Sequence, residues 1–284
     1  MAFGFFDGIH IGHRTVIKSA VDFAHKNNTK SAVITFQDHP FCFFYNLQPQ
    51  YIMRKSDKIK FLEELGVDYL YFIKFDEHLA SMSAEDYLKD IMKNFEPTAI
   101  STGFNHHFGA KKSGDDRFLA KMQDVYHYQY FDILPVLYDE EVISSTAIRG
   151  YLSEGKVERA NSMLGYTYFL EETVIKGEQI GRKIGFKTAN LIYPDDLVEI
   201  GLGVYKVSAE YQGETYAGIA NYGLRPTITH DGKPVLEVHL FGFNKEIYGE
   251  KIKVNILKKI RDEKKFSSLD ELKYQIKQDI KNSK

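Results

Sequence analysis

The segment Gly4-Phe5-Phe6-Asp7-Gly8-Ile9-His10-Ile11-Gly12-His13 decides how the first half of the chain is expected to fold. It continues the apolar run at 2–6 and precedes an amphipathic stretch, so we place it at the turn between a first strand and a first helix. Only three residues precede Gly4, and we therefore expect that strand to be short. Free backbone N–H groups and the positive end of the helix dipole favour an anion at such a turn.

Two histidines in the 4–13 segment have the residue type and spacing that phosphate chemistry uses. Imidazole N–H groups can stabilise charge on a pentacoordinate phosphorus, so His10 and His13 indicate nucleotidyl transfer. Gly12, between them, lets a nucleotide come close to the backbone. One isolated histidine is more often an ordinary core or surface residue, and a zinc site is excluded because no further ligands stand at suitable spacing.

Short apolar runs alternate with amphipathic stretches as far as about residue 164. We predict strands at 2–6, 31–36, 69–75, 99–104 and 131–136, and helices at 13–27, 56–66, 83–95 and 115–126, the second opened by Ser56 and the third by Ser83. Nearly continuous apolar strands that alternate with helices are typical of a parallel sheet covered on both faces. Such an α/β sheet binds ligands at the carboxyl ends of its strands.

The pattern changes after two short helices predicted within 144–164. Strands now follow strands, at 168–175, 203–211, 215–221, 235–243 and 251–258, which indicates an antiparallel barrel or sandwich. A last helix is predicted after Ser268, where Ser268 and Glu271 have the spacing of a capping box. We therefore predict two domains, residues 1–164 including the linker helices and residues 165–284.

Composition narrows the class of partner. The 284 residues suit about two domains, and 37 basic against 39 acidic residues argue against a nucleic-acid partner and against an anionic membrane. A single cysteine, no basic N-terminal region and no long apolar run lead us to expect a cytoplasmic protein without a membrane partner. We expect small-molecule ligands, and the composition leaves the oligomeric state open.

The 4–13 segment resembles the HxGH signature of nucleotidylyltransferases, and its wider context resembles bacterial bifunctional riboflavin kinase/FMN adenylyltransferases, or FAD synthetases. Three later segments are similar to that family in the same order: TFQDHP at 35–40, GFNHHFG at 103–109 and ISSTAIR at 143–149. The resemblance implies an N-terminal Rossmann-like nucleotidylyltransferase domain followed by an antiparallel β-barrel riboflavin kinase domain with a terminal helix.

For the first domain, the resemblance implies that His10 and His13 act in transfer of the adenylyl group from ATP to FMN. It also implies that nucleotide or phosphate is bound by Phe6, Asp7, Gly8, Gly12, Asn105, Ser145, Thr146 and Arg149. The hydroxyls at 144–146 precede a helical pattern, so they could cap that helix or grip a pyrophosphate together with the planar cation of Arg149. Both readings of this run remain open.

For the second domain, GRKIGFKTAN at 181–190 resembles the riboflavin kinase motif GRxxGFPTAN. The resemblance implies that Gly185, Thr188 and Asn190 bind ATP and that Thr188 and Asn190 hold Mg²⁺. Two residues apart on an extended chain, these two side chains point to the same side and can share one cation.

Glu237 of LEVHL at 236–240 matches the family's catalytic glutamate, which stands in an E-x-H motif. Strand alternation places it opposite the apolar face of Leu236, Val238 and Leu240, where it could accept the proton of an attacking hydroxyl. Without the resemblance, an exposed glutamate paired with a lysine on the next strand is the more ordinary reading. The turn NYGLRPT at 221–227 also matches the family, and we read it as mainly structural.

Lys187 departs from the family pattern, because the kinase motif has proline there and proline would fix φ. The main hypothesis is a bifunctional enzyme that uses ATP and Mg²⁺ and takes riboflavin to FMN and FMN to FAD. One alternative is an FMN adenylyltransferase whose kinase activity is weakened or lost. Another is a flavin-binding regulator without turnover.

Overall fold

The computed structural model of the chain describes residues 1–45, 50–177, 181, 185–224 and 234–283. Residues 182–184 of the GRxxGFPTAN resemblance and 225–227 of the NYGLRPT turn lie outside the described residues. The chain divides into two units, Met1–Ser145 and Thr146–Lys284, and each is described by itself. The functional boundary between residues 164 and 165 stays a prediction.

The first unit contains a parallel five-stranded sheet in the order β3-β2-β1-β4-β5. Its strands are β1 (Ala2–Phe3), β2 (Ala32–Phe36), β3 (Tyr69–Ile73), β4 (Ala99–Gly103) and β5 (Gln129–Ile133). This confirms the predicted α/β sheet. The two strands that flank β1, which are β2 and β4, are buried along most of their length. The first strand is shorter than the predicted 2–6 because the backbone turns to positive φ at Phe6.

Helices connect these strands, as parallel pairing requires. They are α1 (Ile11–Lys26), α2 (Pro40–Tyr45), α3 (Lys55–Glu64), α4 (Glu77–Ser81), α5 (Ala84–Phe95) and α6 (Asp116–Tyr126), with 3₁₀ turns at Asp7–Ile9 and Ala110–Lys112 and a hairpin of β6 (Leu137–Tyr138) and β7 (Glu141–Val142). Ser83 caps α5 as predicted, through the Asp86 N–H. The expected cap at Ser56 was wrong, because α3 begins one residue earlier and Arg54 precedes it.

The second unit forms an antiparallel six-stranded sheet in the order β8-β13-β10-β11-β12-β9. Its elements are α7 (Ser145–Ser153, which starts on the last residue of the first unit), α8 (Val157–Leu164), β8 (Phe169–Thr173), β9 (Ala189–Ile192), β10 (Gly203–Tyr211), β11 (Glu214–Leu224), β12 (Pro234–Leu240), β13 (Lys251–Arg261) and α9 (Leu269–Asn282). A bridge between Ile175 and Asn190 brings the two edge strands together, so the sheet is a nearly closed barrel, as predicted.

The terminal helix α9 is anchored to the last barrel strand by a buried ion pair. Arg261 donates to both carboxylate oxygens of Asp279, with contacts of 2.8 to 3.1 Å, and Asp279 is buried. Ser268 caps the helix by accepting from the Glu271 N–H. The Glu271 carboxylate reaches back to Ser267 instead of Ser268, so the predicted capping box is displaced by one residue.

Candidate active sites

The loop between β1 and α1 has an unusual backbone. Phe6, Gly8 and Ile9 all have positive φ, at 53°, 79° and 34°. Left-handed φ is costly for residues with a Cβ, above all for β-branched isoleucine. At Gly8 a Cβ would lie 2.9 Å from the Ile52 Cγ2. This conformation persists only where surrounding contacts hold it.

Asp7 provides one such contact from the middle of the loop. Its side chain is buried and accepts the Ile52 N–H at 3.0 Å and the Met53 N–H at 3.4 Å. The Asp7 carbonyl accepts the Ser145 hydroxyl at 3.0 Å. Asp7 thus joins the loop to the segment that precedes α3 and to the start of α7.

Lys58 holds the loop from another side, and sequence reasoning missed it. Its ammonium donates to the Phe5 carbonyl at 2.7 Å and lies 4.2 Å from the centre of the Phe5 ring. The Thr35 hydroxyl donates to the same carbonyl at 3.0 Å. Lys58 is buried, and this desolvation lowers its pKa to about 8, an effect that the nearby Asp7 carboxylate opposes.

The two predicted histidines lie against each other at the start of α1. Their rings stack with centroids 3.5 Å apart, and the Phe6 ring meets His13 edge-on at 5.3 Å. His10 is the N-cap residue, because its Nδ1 accepts the His13 N–H at 3.2 Å. An accepting Nδ1 carries no proton, so in neutral His10 the proton is on Nε2, where it can be donated to a ligand.

Gly12 lies close to the imidazole of His10. A Cβ there would lie 3.3 Å from the His10 imidazole, so any larger residue would crowd that ring. The close approach of a nucleotide at Gly12 stays a prediction.

The loop after β4 contains the predicted residue Asn105, which is exposed just beyond the carboxyl end of that strand. Its neighbour His106 stacks between Phe3 and Phe108. Burial lowers the pKa of His106 to about 4, so this ring is neutral at pH 7. His106 therefore supports the loop as an aromatic ring, and the binding of nucleotide by the exposed Asn105 stays a prediction.

Ser145, Thr146 and Arg149 occupy the first turns of α7, which confirms that the ISSTAIR run opens a helix. The Ser145 hydroxyl is bonded to the Asp7 carbonyl. Thr146 and Arg149 belong to the second unit as the chain divides. Their part in gripping a pyrophosphate stays a prediction.

The second unit brings its predicted residues together by strand register. Glu237 on β12 is paired with Asn190 on β9 and with Asn221 on β11. Paired residues of antiparallel strands point to the same face, so these three side chains are neighbours. The opposite face carries Leu236, which is fully buried, as alternation predicts.

The strand register can be compared with the alternative interpretation of Glu237 as a surface glutamate paired with a cross-strand lysine. Its two register partners are asparagines, whose amides can donate to a carboxylate but do not neutralise it. Asn190 is buried, and Gly177 lies so close to it that a Cβ would come within 2.5 Å of its Nδ2. Asn221 was read from sequence as structural, and only the register shows that it lies beside Glu237.

Thr188 lies just before β9, in a segment that begins at Gly185 with a φ of 91°. The Phe186 N–H donates to the Gly181 carbonyl at 2.7 Å, and His239 Nδ1 contacts the Lys187 carbonyl at 2.8 Å. Lys187, Thr188 and Asn190 all line a cavity of about 60 Å³ at this end of the barrel.

The donor set here suits magnesium bound through a nucleotide. Among the described residues no three His, Cys, Asp or Glu side chains cluster as a metal site. Thr188 and Asn190 instead offer neutral, hard oxygen atoms, and Mg²⁺ commonly takes a few protein oxygens while phosphates and water complete its octahedron. The residues therefore fit a metal that arrives with ATP.

Family comparisons agree with both units. The FAD synthetase profile matches residues 1–147, and the riboflavin kinase profile matches residues 164–284. The described residues contain no helix that is both long and apolar enough to cross a membrane.

Several relatives extend over the whole chain. A protein of Listeria monocytogenes is 35% identical, with 100% of this chain and 91% of the relative covered, and one of Bacillus subtilis is 37% identical, with 98% and 89% covered. Both are named bifunctional riboflavin kinase/FMN adenylyltransferase. A solved structure from Streptococcus pneumoniae, described as a macrolide-efflux protein, has a TM-score of 0.91 at 32% identity, with 99% and 92% covered. The chain belongs to the bifunctional riboflavin kinase/FMN adenylyltransferase family.

Proposed function

We propose a division of labour for this chain, which is a riboflavin kinase and an FMN adenylyltransferase: the second unit phosphorylates riboflavin and the 4–13 segment adenylylates the resulting FMN. Two features carry the proposal. In the second unit Glu237 is paired with Asn190, and in the first unit His10 and His13 stack at the start of a helix. Each arrangement suits one phosphate reaction.

In the kinase reaction, the Glu237 carboxylate accepts the proton of the riboflavin 5′-hydroxyl as that oxygen attacks the γ-phosphorus of ATP. The bond from this phosphorus to the β-phosphate oxygen breaks, and ADP and FMN result. Thr188 and Asn190 would hold Mg²⁺ beside the nucleotide phosphates, and Gly185 lies in the same segment. Mg²⁺, when bound, neutralises phosphate charge. Direct evidence of metal binding would come from a Mg²⁺ titration.

In the adenylyltransferase reaction, an FMN phosphate oxygen attacks the α-phosphorus of ATP and pyrophosphate leaves. His10 donates from Nε2 to the charge that develops on the transferred phosphate, and His13 acts beside it. The surrounding residues Phe6, Asp7, Gly8 and Gly12 shape the loop, and Asn105 binds nucleotide. Ser145, Thr146 and Arg149 hold the departing pyrophosphate.

The buried position of Asp7 supports a positioning role in this scheme. Its carboxylate accepts the Ile52 and Met53 N–H groups, so it acts on the nucleotide through the shape of the loop.

Small substrates and a nearly neutral chain support a cytoplasmic enzyme without a nucleic-acid partner.

One assay tests the function against its alternatives. Purified protein is incubated with riboflavin, ATP and Mg²⁺, and the flavins are resolved by chromatography. We expect FMN and then FAD. If FAD formed from supplied FMN but not from riboflavin, the adenylyltransferase with a weakened kinase would be favoured. Lys187, at the position where the kinase motif has proline, motivates that alternative. Neither product from either flavin would favour the regulator.

A further inference from the structure

The contact between His239 and Lys187 lies where the pairing of β9 with β12 stops. The last paired residues are Val238 and Ala189, and continuing the antiparallel register would pair His239 with Thr188. No ladder pair forms there. Instead, the His239 side chain reaches the backbone carbonyl of Lys187 at 2.8 Å. The side chain thus continues the attachment of this segment to β12 beyond the last ladder pair.

The chemistry of this contact fixes its direction. A carbonyl oxygen can only accept, so Nδ1 of His239 is the protonated nitrogen and donates. The Phe186 ring meets the His239 ring edge-on, with centroids 5.3 Å apart, and so limits how the imidazole can turn. One donor and one ring contact therefore hold the two residues that precede Thr188.

His239 is also linked by its strand to the proposed base. Glu237 and His239 are two residues apart on β12 and lie on the same face of the strand. Movement of the 185–188 segment relative to β12 would change the placement of Thr188 relative to Glu237. A contact from β12 to Lys187 restrains that movement.

Lys187 makes this restraint more important in this chain. The kinase motif that the segment resembles has proline at this position, and proline narrows the conformations that an unliganded segment can take. Lysine gives no such restriction.

We propose that His239 is a positioning residue of the kinase site: through the Lys187 carbonyl it holds the 185–188 segment on β12 and so keeps Thr188 in place for the nucleotide. It supplies part of the restraint that proline supplies in the motif. This inference rests on the proposed kinase function, because the position of Thr188 matters only if Thr188 binds ATP.

Two substitutions separate the donor from the ring. His239→Phe keeps an aromatic ring against Phe186 but has no donor, whereas His239→Asn keeps an N–H near the position of Nδ1 but loses the ring. One net hydrogen bond corresponds to a factor of roughly 5 to 10. We therefore expect His239→Phe to raise the KM for ATP by about that factor with kcat changed less, and His239→Asn to recover most of the loss.

Hydrogen–deuterium exchange gives a readout that does not depend on activity. In the ligand-free protein, peptides covering 185–190 are expected to exchange several-fold faster in His239→Phe than in the original chain, with exchange elsewhere in the barrel unchanged. FMN adenylylation serves as an internal control and is expected to stay the same. Unfolding in urea checks that the barrel remains intact.

Introducing His239→Phe into a Lys187→Pro chain tests whether His239 supplies the same restraint that proline would supply. If the two restraints overlap, His239→Phe costs less in that background, both in the KM for ATP and in exchange of the segment. Equal losses in the two backgrounds would overturn the link to proline, and unchanged exchange in His239→Phe would overturn the proposal itself. The original chain could prove unable to phosphorylate riboflavin while the 185–190 segment still exchanges faster in His239→Phe. That result would contradict the proposed kinase function but not the attachment of the segment to β12.

Discussion

The two proposed phosphate sites of this chain are built in different ways. The proposed adenylyltransferase site is centred on ten consecutive residues, 4–13, whose backbone has positive φ at Phe6, Gly8 and Ile9. The site in the second unit lies on three strands, where Asn190, Glu237 and Asn221 become neighbours only through pairing. One arrangement is local and strained, and the other is extended and depends on register.

This difference indicates which changes each site can tolerate. A strained loop needs contacts that hold it, here from the Asp7 carboxylate and from Lys58, so it is sensitive to single atoms added near the turn. A register site has ordinary strand backbone and is sensitive to the identity of residues that lie far apart in sequence. Each of the following predictions changes one type of site and leaves the other as a control.

The largest effect is expected from Glu237→Gln. Glutamine cannot accept the hydroxyl proton, so riboflavin phosphorylation is expected to fall by roughly 10²- to 10⁴-fold, measured as FMN formed per enzyme. Glu210→Gln is a matched control, because Glu210 lies on β10 and is bonded to Asn255 and Lys253. A loss below about 10-fold in Glu237→Gln would contradict the role of Glu237 as base.

Gly8→Ala tests the strained loop. Alanine at this position would have to keep a φ of 79°, and its Cβ would lie 2.9 Å from the Ile52 Cγ2. We expect adenylylation of FMN to fall by about 30- to 900-fold, since strain and crowding together cost about 2–4 kcal/mol. Riboflavin phosphorylation is the internal reference and is expected to be unchanged.

Gly213→Ala is the matched control for Gly8→Ala. Gly213 has almost the same φ, 80°, in the turn between β10 and β11, but no atom lies within 4 Å of its would-be Cβ. It is expected to lower stability slightly and to leave FMN adenylylation unchanged. If the two substitutions reduced adenylylation equally, crowding in the 4–13 segment would not be the cause.

Lys58 is predicted to make the stability of the first unit depend on pH. Its pKa is about 8 in the folded protein and 10.5 when unperturbed, so between these values the unfolded chain binds more protons and stability rises with pH. Relative to Lys58→Met, the free energy of unfolding is expected to gain about 2 kcal/mol from pH 7 to pH 9.5. Urea titrations at several pH values measure this difference, and a flat or falling difference would contradict the burial of a charged Lys58.

Asn221→Leu is expected to have the smallest effect, and it tests the register directly. Losing an amide beside Glu237 is expected to slow riboflavin phosphorylation by about 5- to 10-fold, the value of one hydrogen bond. Thr215→Val lies on the same strand but is paired with Glu210 on β10, so it should leave the rate unchanged. An unchanged rate in Asn221→Leu would remove β11 from the site.

Sequence reasoning predicted the fold class of both units and the position of His10 and His13 at the start of the first helix. The alternation of apolar runs with amphipathic stretches predicted the parallel sheet. The change from an apolar run to an amphipathic stretch placed His10 and His13 at the start of α1, because this signal lies within a few consecutive residues. Lys58 could not be predicted, since lysine is usually exposed and nothing in its helix marks it as buried. The role of the Asp7 carboxylate depends likewise on a segment 45 residues away.

The register site could be predicted only in part. Glu237 was placed on the correct face by alternation, which is a local property. Its neighbour Asn221 was missed because no local pattern shows which strand lies beside which. Strand β9 was also missed, since its four residues are too few to show a period of two.

The most direct test of the account is the flavin products of two single variants, His13→Ala and Glu237→Ala, given riboflavin with ATP and Mg²⁺ or FMN with ATP and Mg²⁺. We expect His13→Ala to accumulate FMN without FAD, whereas Glu237→Ala is expected to make no FMN from riboflavin but to make FAD from supplied FMN. If either folded variant lost both activities, the assignment of the two reactions to two separate sites would be contradicted.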